Sequence, residues 1–176
     1  MNIKKAKFLT IFHLDKTYKM NKFSHINKDN HPKMVDVSDK AVTKRTAIAK
    51  TEMFLGKEII SHFKNNELTT KKGPVFQTAI IAGIQAVKKT AELIPMCHPL
   101  LINGVDINIK ILDSENIEIT CKVTITGKTG VEMEALTGAS IAALTVYDMC
   151  KSISQKMVIK ATKLIKKTGG KSDVLL

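Results

Sequence analysis

Asp148 and Lys151 carry opposite charges and lie three residues apart near the end of residues 127–151. Residues three apart on a helix project from the same side, so these two side chains can touch. On an exposed helix such a contact is an ordinary ion pair worth roughly a few tenths of a kcal/mol. The surrounding residues, however, are apolar, and charges among apolar side chains are costly unless they are paired or used. The pair is therefore a candidate for proton-transfer chemistry on a helix that also contains Ala142, Ala143, Leu144, Val146, Met149 and Cys150.

The same helix begins with two acids, Glu132 and Glu134. The simplest interpretation is that the positive end of the helix dipole favours anions there. Glu134 precedes Asp148 by fourteen residues, which is about four turns and about 21 Å of helix. One small ligand cannot reach both ends, so either one end binds it or two copies of the helix bring opposite ends together. One face of this helix consists of small residues, namely Ala135, Gly138, Ala139, Ala142 and Ala143. Such a face favours close approach of two helices, and it predicts a symmetric oligomer with a shared site.

A second helix, predicted over residues 75–93, begins after Pro74, a residue type favoured in the first turn. Lys72 lies just before it. Backbone donors and the helix dipole favour anions at such an end, so a phosphate group could bind there. The segment Pro95 to Leu101 then places Cys97 and His98 between two prolines, which predicts a stiff extended loop. Packing is expected for Cys97 and proton handling or phosphate contact for His98.

The composition separates several kinds of partner. The formal net charge is +12 and the sequence pI is about 9.6, which is typical of proteins that bind nucleic acid or a small phosphorylated substrate. Only one of the 28 basic residues is arginine, Arg45, and aromatic residues make up 5%. Base recognition relies on arginine and aromatic side chains, so a small phosphorylated substrate is favoured and most lysines are expected to be solvated. For Arg45, a role in the site and a place on an exposed strand face remain equally open.

No metal, membrane or disulfide chemistry is predicted. The loop around His98 offers too few metal ligands, and the three cysteines are widely spaced. No run of eighteen apolar residues indicates a membrane span. Unpaired cysteines fit a reducing cytosol and predict a cytoplasmic protein. Residues 1–22 are expected to be an arm outside the core, whose role in organellar targeting stays open, and residues 23–176 a single catalytic domain.

The order of elements predicts an α+β fold. Strands are expected at residues 42–53, 105–112, 117–126 and 157–167, and helices at 54–63, 75–93 and from 133 onward, with 113–116 closing a hairpin. This order resembles the ferredoxin-like plan, an antiparallel sheet with long helices packed on one face, with one added helix.

Several motifs carry a resemblance to a known family: Lys-Gly-Pro-Val-Phe, Ile-Pro-Met-Cys-His-Pro-Leu, Gly-Lys-Thr-Gly-Val-Glu-Met-Glu-Ala-Leu-Thr, Tyr-Asp-Met-Cys-Lys and Lys-Thr-Gly-Gly-Lys-Ser. Over about residues 24–173 the chain resembles the cyclic pyranopterin monophosphate synthases, the accessory protein C family of molybdenum cofactor biosynthesis. The resemblance implies conversion of 3′,8-cyclo-7,8-dihydroguanosine 5′-triphosphate into cyclic pyranopterin monophosphate with release of diphosphate. It also implies no cofactor, and a hexamer built as a trimer of dimers with sites between subunits.

The resemblance also implies site residues. Asp148 and Lys151 match the family's central catalytic pair, and we expect Lys72 to join them as a second proton donor. Other matches are substrate-contacting or active-site positions, and we take as substrate-binding candidates Met96, Cys97, His98, Glu132, Met133, Glu134, Lys167 and, in less diagnostic sequence, Asp36 and Arg45. Ile80 stands where relatives often carry a basic residue, which predicts one lost phosphate contact. The alternative function is a non-catalytic basic module that binds nucleic acid or phosphate.

Overall fold

The computed structural model describes residues 27, 29 and 31–176. The predicted arm, residues 1–22, and the predicted start of the domain at residue 23 lie outside the described residues. Residues 34–176 form one compact unit. In chain order its elements are β1 (Thr43–Phe54), α1 (Lys57–Ile60), β2 (Thr69–Thr70), β3 (Gly73–Pro74), α2 (Val75–Lys88), α3 (Thr90–Leu93), β4 (Gly104–Ile111), β5 (Asn116–Gly127), α4 (Glu132–Cys150), β6 (Val158–Thr168) and β7 (Val174–Leu175).

The predicted α+β architecture is confirmed. Five strands form an antiparallel sheet in the order β4-β5-β1-β6-β7, and β2 pairs with β3 in a separate small hairpin. Alternate residues of β1 and β5 are buried, because successive side chains of a strand point to opposite faces. The buried face packs under the helices, with Ala47, Met53, Ile119 and Val123 fully enclosed. The long helices therefore lie on one face of the sheet.

Glycine lets α2 and α4 approach each other closely. A Cβ added at Gly83 would lie 2.9 Å from the main-chain oxygen of Gly138, and one at Gly138 would lie 2.7 Å from Val87 Cγ2. The small face of α4 is buried against α2 and the sheet of the same chain. Our prediction that this face brings two copies of the helix together is therefore wrong. The side that α4 leaves exposed instead carries Met133 and Leu144, so within one chain the helix is not buried all round.

The predicted helix over residues 54–63 is wrong. Phe54 still pairs with Asn116 in the sheet, and only Lys57–Ile60 form a helical turn after Gly56. Asn65 and Asn66 both have positive φ, so they form a tight turn that pairs Lys64 with Glu67. The added helix of the predicted plan is thus a single turn, because strand pairing on one side and this turn on the other leave no room for more.

The predicted helix over residues 75–93 is interrupted at its end. Helix α2 stops at Lys88, Lys89 leaves helical geometry with φ −106°, and Thr90–Leu93 form a separate turn. Buried Thr90 donates its hydroxyl to the main-chain oxygens of Ala86 and Val87, which ends the regular backbone ladder. The predicted hairpin and last strand agree with β4, β5 and β6 within one or two residues.

Candidate active site

The Asp148 carboxylate joins two ammonium groups. Oδ1 lies 2.8 Å from Lys151 Nζ and Oδ2 lies 2.7 Å from Lys72 Nζ. Lys72 Nζ also donates to the main-chain oxygen of Asp148 at 3.0 Å. The fold thereby brings together the three predicted catalytic residues, one of them from a distant part of the chain. We call Lys72, Asp148 and Lys151 the triad.

Charge pairing determines the protonation states of the triad. Lys151 and then Lys72 lower the pKa of Asp148 to about 2, and Asp148 in turn raises the pKa of Lys151. At neutral pH the carboxylate is therefore ionised and the lysine is a protonated donor. Each of the three side chains is about half exposed in the single chain. The apolar surroundings predicted for Asp148 are not found there, because Val146, Met149 and Cys150 point into the core instead.

A pocket of about 580 Å³ adjoins the triad. Lys72 and Met149 line it, and the remaining lining residues come from three parts of the chain: His62, Leu68, Thr69, Thr70, Lys71, Ser152 and Ile153. An ammonium group, hydroxyl groups and apolar surface in one cleft can bind a polar heterocycle or sugar that carries phosphate.

The N-terminal end of α4 holds a second group of predicted residues. Lys167 Nζ pairs with Glu132 Oε1 at 3.1 Å. Both line a small basic pocket of about 170 Å³ together with Arg45 and Lys171. Arg45 is 9% exposed, and its Nε donates to the main-chain oxygen of Gly127 at 2.9 Å. Arg45 thus lies buried beside this pocket rather than on an exposed strand face, and the pocket suits an anionic group.

Glu134, His98 and Cys97 lie together on the other side of this helix end. Glu134 is 4% exposed, and burial raises its pKa. It lines a cavity of about 120 Å³ with His98. Burial and then the Glu134 charge raise the pKa of the neighbouring Cys97 thiol, so Cys97 remains a thiol, as expected for a packing residue. Glu134 is an acid held toward its protonated form, which can donate a hydrogen bond.

Basic side chains hold the segment that leads into β1. His98 Nε2 lies 2.9 Å from the Val35 main-chain oxygen, and Lys128 donates to the Ser38 main-chain oxygen. Asp36 lies between these two points and accepts the Ser38 N–H at 2.8 Å. The predicted residue Asp36 is therefore brought to the His98 side of the molecule.

The two remaining predicted residues are methionines. Met133 is 38% exposed beside Glu132, and Met96 is half-buried in the loop before His98. Ile80 is half-buried and packs against the core, so it presents no charge at any of these pockets.

The start of α2 was predicted to bind a phosphate group, but an acidic side chain of the same chain already bonds to its main-chain N–H groups. The carboxylate of Glu67 accepts the N–H groups of Phe76 and Gln77 at 2.9 and 3.1 Å. These are donors that a phosphate would use, and an internal anion already occupies them. Sequence reasoning missed Glu67 because it lies seven residues before Pro74, far outside the usual capping spacings. It also missed the pocket residues His62 and Thr70, which no motif marks.

The described part of the chain contains neither a cluster of metal ligands nor a helix that could span a membrane. Residues 27, 29 and 31–176 contain no group of three or more His, Cys, Asp or Glu placed to hold a metal ion. None of their helices combines the length and apolar character needed to cross a bilayer.

The described residues thus hold an ionised carboxylate between two lysines at one end of α4 and a basic pocket at the other, an arrangement that can exchange protons with an anionic small molecule. The chain matches the model of the MoaC family over residues 34–170. It is 51% identical over 156 residues to a cyclic pyranopterin monophosphate synthase of Lysinibacillus sphaericus, covering 87% of this chain and 96% of that relative. The chain belongs to the MoaC family.

Longer relatives share the same region. The chain is 54% identical over 156 residues to the molybdenum cofactor biosynthesis bifunctional protein of Synechocystis, covering 86% of this chain and 45% of the relative. It is 51% identical over 170 residues to molybdenum cofactor biosynthesis protein 1 of Dictyostelium discoideum, covering 87% of this chain and 27% of the relative. The chain thus spans less than half the length of these two proteins.

Proposed function

We propose that this chain is a cyclic pyranopterin monophosphate synthase, a lyase that converts 3′,8-cyclo-7,8-dihydroguanosine 5′-triphosphate into cyclic pyranopterin monophosphate and diphosphate. The observation that carries the proposal is the Asp148 carboxylate between Lys72 and Lys151 in a member of the MoaC family. The relative from Lysinibacillus sphaericus bears the name of this activity. The reaction consists of proton transfers and a phosphoryl displacement, so it requires no redox cofactor.

In this proposal the two lysines supply protons while the base-derived ring opens and the pterin is rebuilt. The ionised Asp148 keeps Lys151 protonated and fixes its direction, which places a general acid at the reacting ring. Lys72 is the second donor from the opposite side of the same carboxylate. Once a lysine has given up its proton it can act as the base for the next transfer.

The basic pocket at the other helix end receives the phosphates. A substrate hydroxyl attacks the α-phosphorus, a new P–O bond forms, and the bond to the departing diphosphate breaks. Lys167 and Arg45, which line the same pocket, stabilise the negative charge on the leaving group. Glu132, Glu134 and His98 hold the ring and sugar, with Asp36, Met96, Cys97 and Met133 completing the contacts.

A second copy of the chain completes the site. The triad and the basic pocket lie at opposite ends of α4, about 28 Å long at 1.5 Å per residue, which is too far for one small substrate. Ile81 on α2 and Leu144 on α4 are 68% and 53% exposed, and apolar side chains of this size on one helical layer suit an interface. We place opposite ends of two α4 helices at each site, within a hexamer that is a trimer of dimers. Native mass spectrometry giving only a monomer would contradict this assembly.

We further place the catalytic domain at residues 23–176, with residues 1–22 as an arm outside the core, and the protein in the cytoplasm. Free thiols at Cys97, Cys121 and Cys150 support a reducing compartment.

The test is to incubate the purified chain with the cyclised nucleotide and to measure diphosphate and pterin product together. Equal amounts of both are expected. Substrate that stays intact, combined with tight and salt-sensitive binding to random duplex DNA, would favour the alternative of a nucleic-acid-binding module.

A further inference from the structure

Lys72 depends for its position on a short segment with few contacts of its own. It lies at the turn of the β2–β3 hairpin, where Thr69 pairs with Pro74 and Thr70 with Gly73. Two strands of two residues are too short to be stable by themselves. The turn is closed locally by Thr70, whose hydroxyl accepts the Lys72 N–H and donates to the Gly73 oxygen. The Val75 N–H donates to the Leu68 main-chain oxygen at 2.8 Å across the base of the hairpin, and a side chain outside the hairpin adds further bonds there.

The Glu67 carboxylate bonds to main-chain N–H groups on both sides of the hairpin base. Glu67 Oε1 accepts the N–H groups of Leu68 and Phe76 at 2.8 and 2.9 Å, and Oε2 accepts the N–H of Gln77 at 3.1 Å. The three donors belong to the residue before the hairpin and to the first turn of α2 after it. Glu67 thereby closes the loop that carries Lys72.

No residue of the helix start can replace this contact. Pro74 is the N-cap residue of α2, its side chain makes no capping bond, and the first turn contains no acid. Helices ordinarily begin with Ser, Thr, Asp or Asn at this position, whose side chain accepts such a bond. Glu67 performs this role from outside the helix, and its negative charge also suits the positive helix end.

Glu67 is itself held firmly. Asn65 and Asn66, both with positive φ, form the turn in which Lys64 and Glu67 exchange main-chain bonds of 2.8 and 3.0 Å. The adjoining Leu68 and Phe76 are each 5% exposed, and the Phe76 ring packs on Phe63. Leu68 lines the same pocket as Met149 of α4, next to Cys150, and burial and then the Glu67 charge raise the pKa of Cys150 to about 11.

We propose that Glu67 is a positioning residue that sets the Lys72 ammonium group against Asp148. The proposal rests on the proposed function for its kinetic readout. Glu67 does not touch the reacting atoms; it fixes the two ends of the hairpin, and the hairpin fixes Lys72 Nζ at 2.7 Å from Asp148 Oδ2.

The test is a double-mutant cycle with Glu67→Ala, Lys72→Ala and the double variant. Glu67→Ala should lower kcat about tenfold with little change in KM, since residues of one network are commonly coupled to this extent. In the Lys72→Ala background the same change should lower kcat less than twofold. An equal loss in both backgrounds, or no loss in either, would overturn the proposal. The exposed Glu58 supplies the matched control, and Glu58→Ala should leave kcat unchanged.

A second variant and a second readout keep the test decisive. If Glu67→Ala does not fold, Glu67→Gln takes its place, since its amide oxygen still accepts one main-chain N–H and a smaller loss of kcat is expected. Tryptic cleavage after Lys71 and Lys72, followed by mass spectrometry, needs no substrate. It should be faster in the Glu67 variant than in wild type or Glu58→Ala. If wild type fails to turn over the nucleotide, the proposed function fails, whereas unchanged cleavage in the Glu67 variant counts against the positioning role alone.

Discussion

The two ends of α4 place acids in opposite environments. Asp148, near the C-terminal end, is half exposed, and two ammonium groups lower its pKa to about 2. Glu134, at the N-terminal end, is buried, and its pKa is raised. The first acid holds lysines in their protonated form, whereas the second tends toward its own protonated form. One end of the helix thus offers protonated lysines and the other a protonated carboxylic acid. Different environments for titratable groups are how one fold assigns separate acid and base roles.

Removing the charge of Asp148 should have the largest effect on turnover. Asp148→Asn and Lys151→Ala are each expected to lower kcat by about 10²–10⁴-fold, the usual contribution of a positioned acid or base. Both variants should fold, because the side chains are half exposed. Steady-state diphosphate release measures the loss, and Asp106→Asn, an exposed acid on β4, is the control. Undiminished product formation by either triad variant would contradict the proposed roles.

The basic pocket at the other end should give a smaller effect. Lys167→Ala is expected to lower kcat/KM about tenfold to a hundredfold, since losing a charged hydrogen bond costs roughly 1.5–3 kcal/mol. The same assay applies, and Lys163→Ala on the neighbouring stretch of β6 provides a matched lysine. If both lysine variants lose activity equally, general positive charge rather than this pocket binds the phosphates.

The buried acid should show itself in the pH dependence of stability. A raised pKa in the folded state means that folding binds a proton, so the stability conferred by protonated Glu134 is lost as pH rises above the ordinary value of 4.5. Glu134→Gln removes this loss. Its Tm at pH 7 should exceed that of wild type by about 2–4 °C, the shift that about 1 kcal/mol produces in a chain of this size. Calorimetry from pH 4 to pH 7 should show the difference between the two proteins growing with pH; a constant difference would place Glu134 in a solvated environment.

Asp148 should change the pH dependence of stability in the opposite direction to Glu134, and by the smallest amount of these predictions. Because folding lowers the pKa of Asp148, its ionised form stabilises the folded protein above the ordinary pKa of 3.8. This stabilisation is lost as pH falls toward about 2. Wild type should therefore lose more Tm than Asp148→Asn between pH 4 and pH 2, by a small amount because the pair is exposed to solvent. Parallel curves for the two proteins in this range would show that the triad is not formed in solution.

The parts of the fold that follow from periodicity were predictable. Alternation in β1 and β5 and the small residues of α4 indicated a sheet and a tightly packed helix. The three-residue spacing paired Asp148 with Lys151, and the family resemblance added Lys72. What failed depended on tertiary context. The small face of α4 suits any close neighbour, and sequence alone does not tell whether that neighbour is α2 of the same chain or a second copy.

Contacts between residues far apart in the chain could not be predicted from local sequence patterns either. Glu67 reaches the start of α2 from outside any capping spacing, and residues 54–63 have helical spacing although strand pairing holds Phe54. Alternation along β1 puts Arg45 on the same face as Ala47, Ala49 and Met53, so the burial of Arg45 was predictable, whereas its hydrogen-bond partner was not. Its burial and its bond to the Gly127 oxygen exclude the exposed strand face, and its role in the site stays a prediction.

Subunit complementation tests most directly whether the two ends of α4 meet between chains. Asp148→Asn and Lys167→Ala, each expected to keep at most about a tenth of wild-type activity alone, are unfolded, mixed in equal amounts and refolded together. If the site is shared, each mixed dimer contains one site with both changes and one with neither, and random pairing restores about a quarter of wild-type activity. Activity that stays at the level of the separate variants, in a mixture that native mass spectrometry shows to be mixed, would contradict the shared site.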